Sequence, residues 1–400
     1  MAKWLQDTSV YFKGNVGVMM VSWLIYAVGS SITVPYLSIY MKMLGADSEI
    51  IGIIYSLGML SQLITIIPGG LLTDTIGRRR SILIGTWGVA GTTLLYVLAP
   101  NWESLLAIYI INSAIGFYQP ALMATILDSL PSSKRASGVM LVSVLPQLPT
   151  LILPPLGGAL INRYGLLGIR FAYLISTIMA IIVAVIRHKT LVETLNETRS
   201  KLSLRELLAS YDLRSSILRL HARARFLLVI MLIASATTVS ANTLVPIYAI
   251  YKLNLNTVAW GTIVAAANAA YIIVGVVTAL YIDKMRHSLL IIGSTTIAVA
   301  NVFGLLPLGG IAIAVYLIII QIGAQVVSTS IQSDMGDYID VRGRGNAISL
   351  LIIFQLIGQS LGSYIAGITY RLNPLNIFMI PLIIMIATTI AIWFIIHKRH

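Results

Sequence analysis

The sequence predicts an all-α polytopic membrane protein with twelve transmembrane helices in two pseudo-symmetric six-helix bundles. The first observation is composition, because 58% of the residues are hydrophobic, only 10% are charged and the mean hydropathy is +0.90. The second is that twelve apolar runs approach or exceed the roughly 20 residues that a helix needs to cross a bilayer. Since lipid offers no hydrogen-bond partners to the backbone, such runs are expected to be helical. The third is an internal repeat.

The predicted helices follow the apolar runs in order, beginning with a run that is too long for a signal peptide and has no small-residue cleavage pattern. We therefore expect the first run to be retained as a transmembrane helix. Predicted helices 1 to 12 span residues 14–41, 48–73, 81–99, 104–128, 137–162, 168–188, 224–250, 257–282, 288–307, 310–333, 345–371 and 375–396.

The repeat divides the chain into two related halves, because pairs of identical residues recur at nearly constant offsets. The offsets lie between 207 and 211: Pro35 with Pro246, Asp74 with Asp283, Tyr109 with Tyr316, Gly158 with Gly367. We expect a first six-helix bundle over residues 1–188, a cytoplasmic amphipathic linker over 189–222 and a second bundle over 223–400. Leucines interleaved with arginines in the linker predict a basic helix on the inner leaflet.

The net charge of +13 is distributed in a way that favours a lipid bilayer, and not nucleic acid, as the partner. With the amino terminus inside, only five of the 27 Lys and Arg residues fall in outer loops. The positive-inside rule then places both termini in the cytoplasm of a multi-pass protein of the cell membrane. Cysteine is absent, which excludes disulfides and thiol chemistry. None of the five histidines has a carboxylate at metal-ligand spacing, so we predict neither an enzyme nor a metal site.

The most specific motif lies between predicted helices 2 and 3, where Gly70, Asp74, Gly77 and Arg78 form the pattern G-x-x-x-D-x-x-G-R. Gly70 is expected to let a neighbouring helix approach, and Gly77 to form a turn. The pattern resembles the loop between helices 2 and 3 in the major facilitator superfamily (MFS) of secondary transporters. This resemblance covers the whole chain and implies a transporter of small molecules, working by alternating access. We expect a monomer.

The resemblance also implies a cluster of charges that latches the two halves together on the inner side. Its members in the first half are Asp74, Arg78 and Asp128, with Arg135 just beyond. The second half retains a partial copy of this inner gate, and its members would be Asp283, Arg286 and Asp334.

Predicted helix 5 contains Pro154, Gly157 and Gly158, whose spacing resembles the antiporter motif of the 12-helix drug-efflux branch, the drug:proton antiporters. Close helix packing explains these residues equally well. Against proton antiport, Asn112 stands where that branch has an arginine, and no charged residue is expected at mid-membrane depth. A proton is the candidate coupling ion, carried by Asp74, Asp128, Asp283 or Asp334, and facilitated diffusion is equally open. No cofactor is expected.

Neutral polar side chains dominate the middle of the predicted helices, and helices 1, 4, 7 and 10 line the cavity in the family that the chain resembles. The candidate substrate-binding residues are Tyr26, Ser30, Asn112, Gln119, Asn242, Asn268, Tyr271, Gln321, Gln325 and Gln355. For any single one, a hydrogen bond between helices is the alternative role. The set favours an uncharged or weakly cationic amphipathic solute. The predicted function is efflux of small amphipathic compounds, with uptake or facilitated diffusion of a neutral metabolite such as a sugar as the alternative.

Overall fold

The computed structural model describes residues 13–131, 138, 141–142, 144–195, 217–218, 220–337 and 344–397. This part of the chain is helical throughout and contains no strand. Eleven of its helices are long and apolar enough to cross a membrane. The predicted all-α membrane fold is therefore confirmed. The predicted linker, except its first seven residues and a few near its end, lies outside the described residues.

The helices are numbered here as in the prediction. The twelve are α1 Gly14–Met43, α2 Ser48–Ile76, α3 Arg78–Leu98, α4 Trp102–Asp128, α5 Pro154–Tyr164, α6 Leu166–Thr190, α7 Ala222–Lys252, α8 Thr257–Thr278, α9 Ser288–Leu305, α10 Gly309–Asp337, α11 Arg344–Leu372 and α12 Asn376–His397.

The contacts within the chain define two compact units. Unit 1 comprises Met1–Tyr36 and Ser61–Tyr211, and unit 2 comprises Leu37–Leu60 and Asp212–His400. The last turns of α1 and the first half of α2 therefore pack with the second half of the sequence. Each unit is described by itself below.

Prolines interrupt several of the helices where the sequence repeat places them. In α1, the segment Val34–Tyr36 is a 3₁₀ turn, and in α7 the equivalent Val245–Ile247 is flanked by irregular turns and a π-helical turn over Tyr248–Lys252. Proline cannot donate a backbone hydrogen bond and clashes with the preceding turn, so it kinks or breaks a helix. The same interruption in both halves supports the pseudo-symmetry of the two bundles.

Two boundaries differ from the prediction. The expected helix over 137–162 is interrupted, because Leu145–Leu151 is a 3₁₀ helix containing Pro146 and Pro149, and α5 begins only at Pro154. Conversely, the expected break between α8 and α9 is absent, and the backbone is helical from Thr257 to Leu305. The intervening residues 279–287 contain neither glycine nor proline, so nothing in the sequence ends the helix there.

Each unit has its own tightly packed interior. In unit 1, the first turns of α1 and α3 and the last turns of α4 bury a cluster that includes Met19, Ile82 and Ile126. In unit 2, α7 and α11 approach so closely that an added Cβ at Gly358 or Gly362 would lie 2.2 Å from a carbonyl oxygen of α7. Such contacts between small residues are typical of helix packing in membranes.

Candidate functional site

The motif between α2 and α3 forms a charge cluster in unit 1. Gly77 has φ +91°, which favours glycine, and this turn ends α2 and begins α3. The turn places Arg78 on the first residue of α3, where its side chain forms an ion pair with Asp128 at the end of α4. The guanidinium also donates to Thr194 Oγ1 at 3.3 Å. The structure thus brings together two of the residues predicted for the inner gate.

Glu193, which the sequence reasoning missed, holds this cluster from the segment after α6. Its Oε1 accepts from the backbone N–H of Arg78 at 3.1 Å, and its Oε2 accepts from that of Arg79 at 3.0 Å. The carboxylate therefore caps the positive end of α3. Asn15 fixes the same segment, because its side chain exchanges two hydrogen bonds with the backbone of Val192. We call residues 191–195 the strap.

The side chain of Arg79 binds the other end of the strap. Its Nε donates to the carbonyl of Leu191 and its Nη2 to that of His188, both at 2.8 Å. These two carbonyls lie at the end of α6, where backbone oxygens lack partners within the helix. Glu193 follows the basic end of α6, which the sequence predicts on the same side of the membrane as the three consecutive arginines 78–80. This combination is the sequence signal that could have identified Glu193.

The other residues predicted for the gate either do not join the Arg78–Asp128 cluster or fall outside the residues that the structure describes. Asp74 is half-buried in the last turn of α2 and has no hydrogen-bond or ion-pair partner within the described part of the chain. Gly70 was expected to allow a close approach, but the close approach occurs at Gly69, where an added Cβ would lie 2.3 Å from the carbonyl oxygen of Phe117. Arg135 and the side chains of Asp283 and Arg286 lie outside the described residues.

In unit 2, Asp334 is buried at the end of α10 with 2% of its surface exposed. Its Oδ2 lies 3.7 Å from Nη2 of Arg223, in the first turn of α7. The ion pair therefore resembles Arg78–Asp128 in joining the start of one helix to the end of another. The described partner of Asp334 is Arg223, which the sequence reasoning did not consider.

Unit 2 also contains a cavity of about 300 Å³ between α2, α7, α8, α10 and α11. Four of the predicted substrate-binding residues line it, and they are Asn242, Tyr271, Gln321 and Gln355. The remaining lining residues are hydroxyl, amide and apolar side chains: Tyr55, Met59, Met231, Ala234, Ser235, Thr238, Val239, Thr243, Ala324, Val327, Ser328 and Gln359. No charged side chain is among them. The cavity therefore offers hydrogen bonds and dispersion contacts without an ionic partner.

Two predicted substrate residues of unit 2 do not line this cavity. The amide nitrogen of Gln325 lies beside Gly275, 2.8 Å from where a Cβ would be, so Gln325 packs between α10 and α8. Asn268 on α8 is likewise absent from the lining and has contacts elsewhere. The position of Gln325 fits the alternative of contact between helices.

The predicted substrate residues of unit 1 have mixed environments. Asn112 accepts a hydrogen bond from Thr92 at 2.8 Å, which ties α4 to α3 and matches the packing alternative. Ser30 donates to the carbonyl of Ala27 in its own helix at 3.4 Å. Gln119 is exposed at the point where α4 resumes after its 3₁₀ turn, and Tyr26 is 38% exposed.

Arg187, in the last turn of α6, is a buried charge that the sequence reasoning did not consider. Its residue is 2% exposed, and its Nε and Nη1 donate to Ser22 at 3.0 Å and Thr86 at 2.9 Å. Ser22 and Thr86 each lie eight residues inside their helices, which corresponds to about 12 Å along the axis. The position of Arg187 on the stripe formed by Ala180 and Ala184 is the signal that could have revealed its burial.

The motif of predicted helix 5 packs against α1. The carbonyl of Pro154 accepts from the hydroxyl of Tyr36 at 2.6 Å. A Cβ at Gly157 would lie 2.4 Å from the carbonyl oxygen of Ile32, and Gly158 is buried. The geometry therefore shows these residues in close helix packing.

The comparison with protein families decides the class of this molecule. The family model described as Major Facilitator Superfamily matches residues 19–362. The chain belongs to the Major Facilitator Superfamily. It is therefore a multi-pass membrane transporter of small molecules and not an enzyme, as the loop motif between α2 and α3 predicted.

The curated relatives do not identify a substrate. An uncharacterized MFS-type transporter of Methanocaldococcus jannaschii is 24% identical over 362 residues, which cover 88% of this chain and 90% of that protein. The quinolone resistance protein NorA of Staphylococcus aureus is 26% identical over 131 residues, covering 32% of this chain and only 34% of NorA.

Solved structures of the superfamily share the fold. The nucleoside transporter NupG is 12% identical with a TM-score of 0.78, covering 95% of this chain and 98% of that one. A POT family transporter in complex with 5-aminolevulinic acid is 14% identical with a TM-score of 0.75, covering 94% and 95%. At these identities the similarity establishes the fold alone.

Proposed function

We propose that this MFS protein transports an uncharged, small organic solute across the cell membrane by alternating access, and that it exports small amphipathic compounds. The observation that carries the proposal is the cavity of unit 2, whose lining combines amides and hydroxyls with Met59, Met231 and valines and includes no charged side chain. A charged substrate in this cavity would lose its hydration without gaining an ionic partner. An uncharged amphipathic solute loses far less.

Two observations favour export. The 131-residue similarity to NorA connects the chain to a protein named for quinolone resistance. The spacing of Pro154, Gly157 and Gly158 resembles the antiporter motif, although their contacts with α1 also fit simple packing. Uptake or facilitated diffusion of a neutral metabolite such as a sugar is the second candidate, because amides are also the side chains that bind neutral polar solutes.

The proposed coupling ion is a proton, with Asp74, Asp128, Asp283 or Asp334 as its carrier. Buried or half-buried carboxylates in membrane proteins are the usual proton carriers. We further propose a monomer with both termini in the cytoplasm and no nucleic-acid partner, on the basis of the positive-inside distribution of charge.

Counterflow in proteoliposomes tests the proposal with four probes: chloramphenicol, uridine, glucose and the permanent cation ethidium. We expect exchange of an uncharged probe and little exchange of ethidium. Exchange of chloramphenicol would favour the efflux assignment, and exchange of glucose the alternative. If ethidium alone exchanges, or if no probe does, the assignment to uncharged solutes is wrong. Repeating the assay with a pH gradient tests coupling, because uphill accumulation requires a coupled proton.

A further inference from the structure

Arg187 is a permanent positive charge that is buried in unit 1 without a carboxylate partner in the described part of the chain. Its recorded partners are the hydroxyls of Ser22, Thr86 and Tyr118, and Tyr26 lies close to it. An unpaired charge inside a membrane protein is costly and is usually functional.

The hydroxyls around Arg187 are oriented to accept hydrogen bonds from it. Ser22 donates its own proton to the carbonyl of Met19 at 3.0 Å, and Thr86 donates to that of Ile82 at 2.7 Å. The lone pairs of both oxygens are therefore available to the guanidinium. These groups solvate the charge but do not neutralise it, so its field extends into the surrounding low-dielectric region.

Tyr118 and Tyr26 lie close to Arg187, and Tyr26 connects this buried charge with the exposed surface of α1. The ring of Tyr118 lies where an added Cβ at Gly85 would approach within 2.1 Å, so only glycine on α3 leaves room for it. Tyr118 lies close to Arg187, and a phenol oxygen can accept from a guanidinium while its own proton donates to another group. Tyr26 is 38% exposed although its neighbour Arg187 is buried.

We propose that Arg187 is the charge-selecting residue of the transport path in unit 1. Its positive field favours solutes that present an uncharged or anionic hydrogen-bond acceptor to Tyr26 and Tyr118, and it repels cations. The inference rests on the proposed function and deepens it, because it names a residue that disfavours the weakly cationic compounds that the sequence alone left open. Arg187 acts here as a positioning and specificity-determining residue.

The absence of cysteine allows the field to be measured without a known substrate. A thiol introduced by Ser30→Cys, one turn from Tyr26 on α1, is reacted at low salt with two methanethiosulfonates of similar size. One reagent carries a sulfonate and the other a trimethylammonium group. The thiol lies about 12 Å from Arg187. At that distance and at the dielectric constant of water, the charge of Arg187 should make the anionic reagent react about threefold faster than the cationic one. The measured quantity is the rate with the anionic reagent divided by the rate with the cationic reagent, relative to the same ratio for a free thiol in solution.

We expect this preference in the parent protein, its retention in Arg187→Lys and its loss in Arg187→Gln. A purely structural role predicts no such dependence on charge. If Arg187→Gln does not fold, Ser328→Cys in the uncharged cavity of unit 2 provides a reference in a protein that keeps Arg187. The anionic-to-cationic rate ratio at Ser328→Cys should then be lower than the ratio at Ser30→Cys. Equal ratios at both sites, no change in Arg187→Gln, or a Ser30→Cys thiol that reacts with neither reagent would overturn the proposal.

Transport provides the second readout. In the counterflow assay, Arg187→Gln should raise ethidium exchange relative to chloramphenicol by about twofold, less than the threefold of the two reagents because these probes differ by one charge instead of two. If the uncharged probes exchange but this ratio does not move, the charge-selecting role is wrong while the proposed function stands. If no probe exchanges yet the thiol ratios are as expected, Arg187 has the inferred field and the proposed function is wrong.

Discussion

At the residue scale, a single carboxylate caps the start of α3 in unit 1. Glu193 accepts both of the first N–H groups of α3, and the strap that carries it also supplies Thr194 to the Arg78 side chain. The Arg78–Asp128 ion pair is therefore built on a helix end whose position depends on the strap. The strap itself lies within the linker that the sequence predicts over residues 189–222.

Removing this carboxylate should destabilise the protein measurably. Glu193→Ala loses two hydrogen bonds to a helix end, and helix caps contribute about 0.5–2 kcal/mol. We expect a lower melting temperature by scanning fluorimetry in detergent. Glu103→Ala is the matched control, because Glu103 also lies in the first turn of a helix but has no cap hydrogen bond in the described structure. A Glu193→Ala melting temperature no lower than that of the control would contradict the capping role.

Some of this site could be predicted from residues alone. The loop motif identified Arg78, and the resemblance to the superfamily implied that Asp128, at the end of predicted helix 4, belongs to the same cluster. Glu193 and Arg187 could not be identified in the same way. Which helix end a carboxylate caps, and which hydroxyls surround a guanidinium, depend on how four helices pack. The spacing of residues along one helix does not contain that information.

At the element scale, glycines decide how closely helices pack and where they end. Gly77 ends α2, whereas the equivalent stretch of the second half has no glycine and the helix continues from α8 into α9. The sequence therefore predicted the first boundary and missed the second, because the repeat suggested a break that the local residues do not support. The prolines at residues 35 and 246, which the sequence analysis used only to detect the repeat, interrupt α1 and α7.

Gly157 provides a direct test of helix contact. Gly157→Ala would place a methyl group 2.4 Å from the backbone oxygen of Ile32, and overpacking costs about 1–3 kcal/mol. We expect a clear loss of thermal stability. The matched change is Gly91→Ala on α3, where nothing lies within 4 Å of the added carbon. That variant should be neutral or more stable by up to about 1 kcal/mol, since alanine favours the helix. Equal effects would show that α5 and α1 are not packed in this way.

At the scale of the whole molecule, the order of the helices and the distribution of charge predict which loops face the cytoplasm. Leu308 lies in the turn between α9 and α10, where it is 56% exposed, and Lys189 is exposed at the end of α6. In intact cells, a membrane-impermeant maleimide should label Leu308→Cys, and it should label Lys189→Cys only after permeabilisation. The chain has no native cysteine to interfere. The reverse pattern would place the termini outside.

The fold class at this scale was predictable because hydropathy and the internal repeat act over the whole chain. The candidate site was only partly predictable. Asn242, Tyr271, Gln321 and Gln355 were expected and do line the cavity, whereas Gln325, one turn from Gln321, packs against α8. Both glutamines occupy one face of α10 in the sequence, and only the position of the neighbouring helices separates a cavity residue from a packing residue.

This pair of glutamines provides the most direct test that the uncharged cavity binds the transported solute. For the uncharged probe that exchanges, Gln321→Ala should reduce counterflow at subsaturating probe by about 3- to 10-fold, the effect of one lost hydrogen bond to a neutral ligand. Gln325→Ala should leave the rate near that of the parent protein. A Gln321→Ala rate equal to the parent, or equal losses in both variants, would contradict the account.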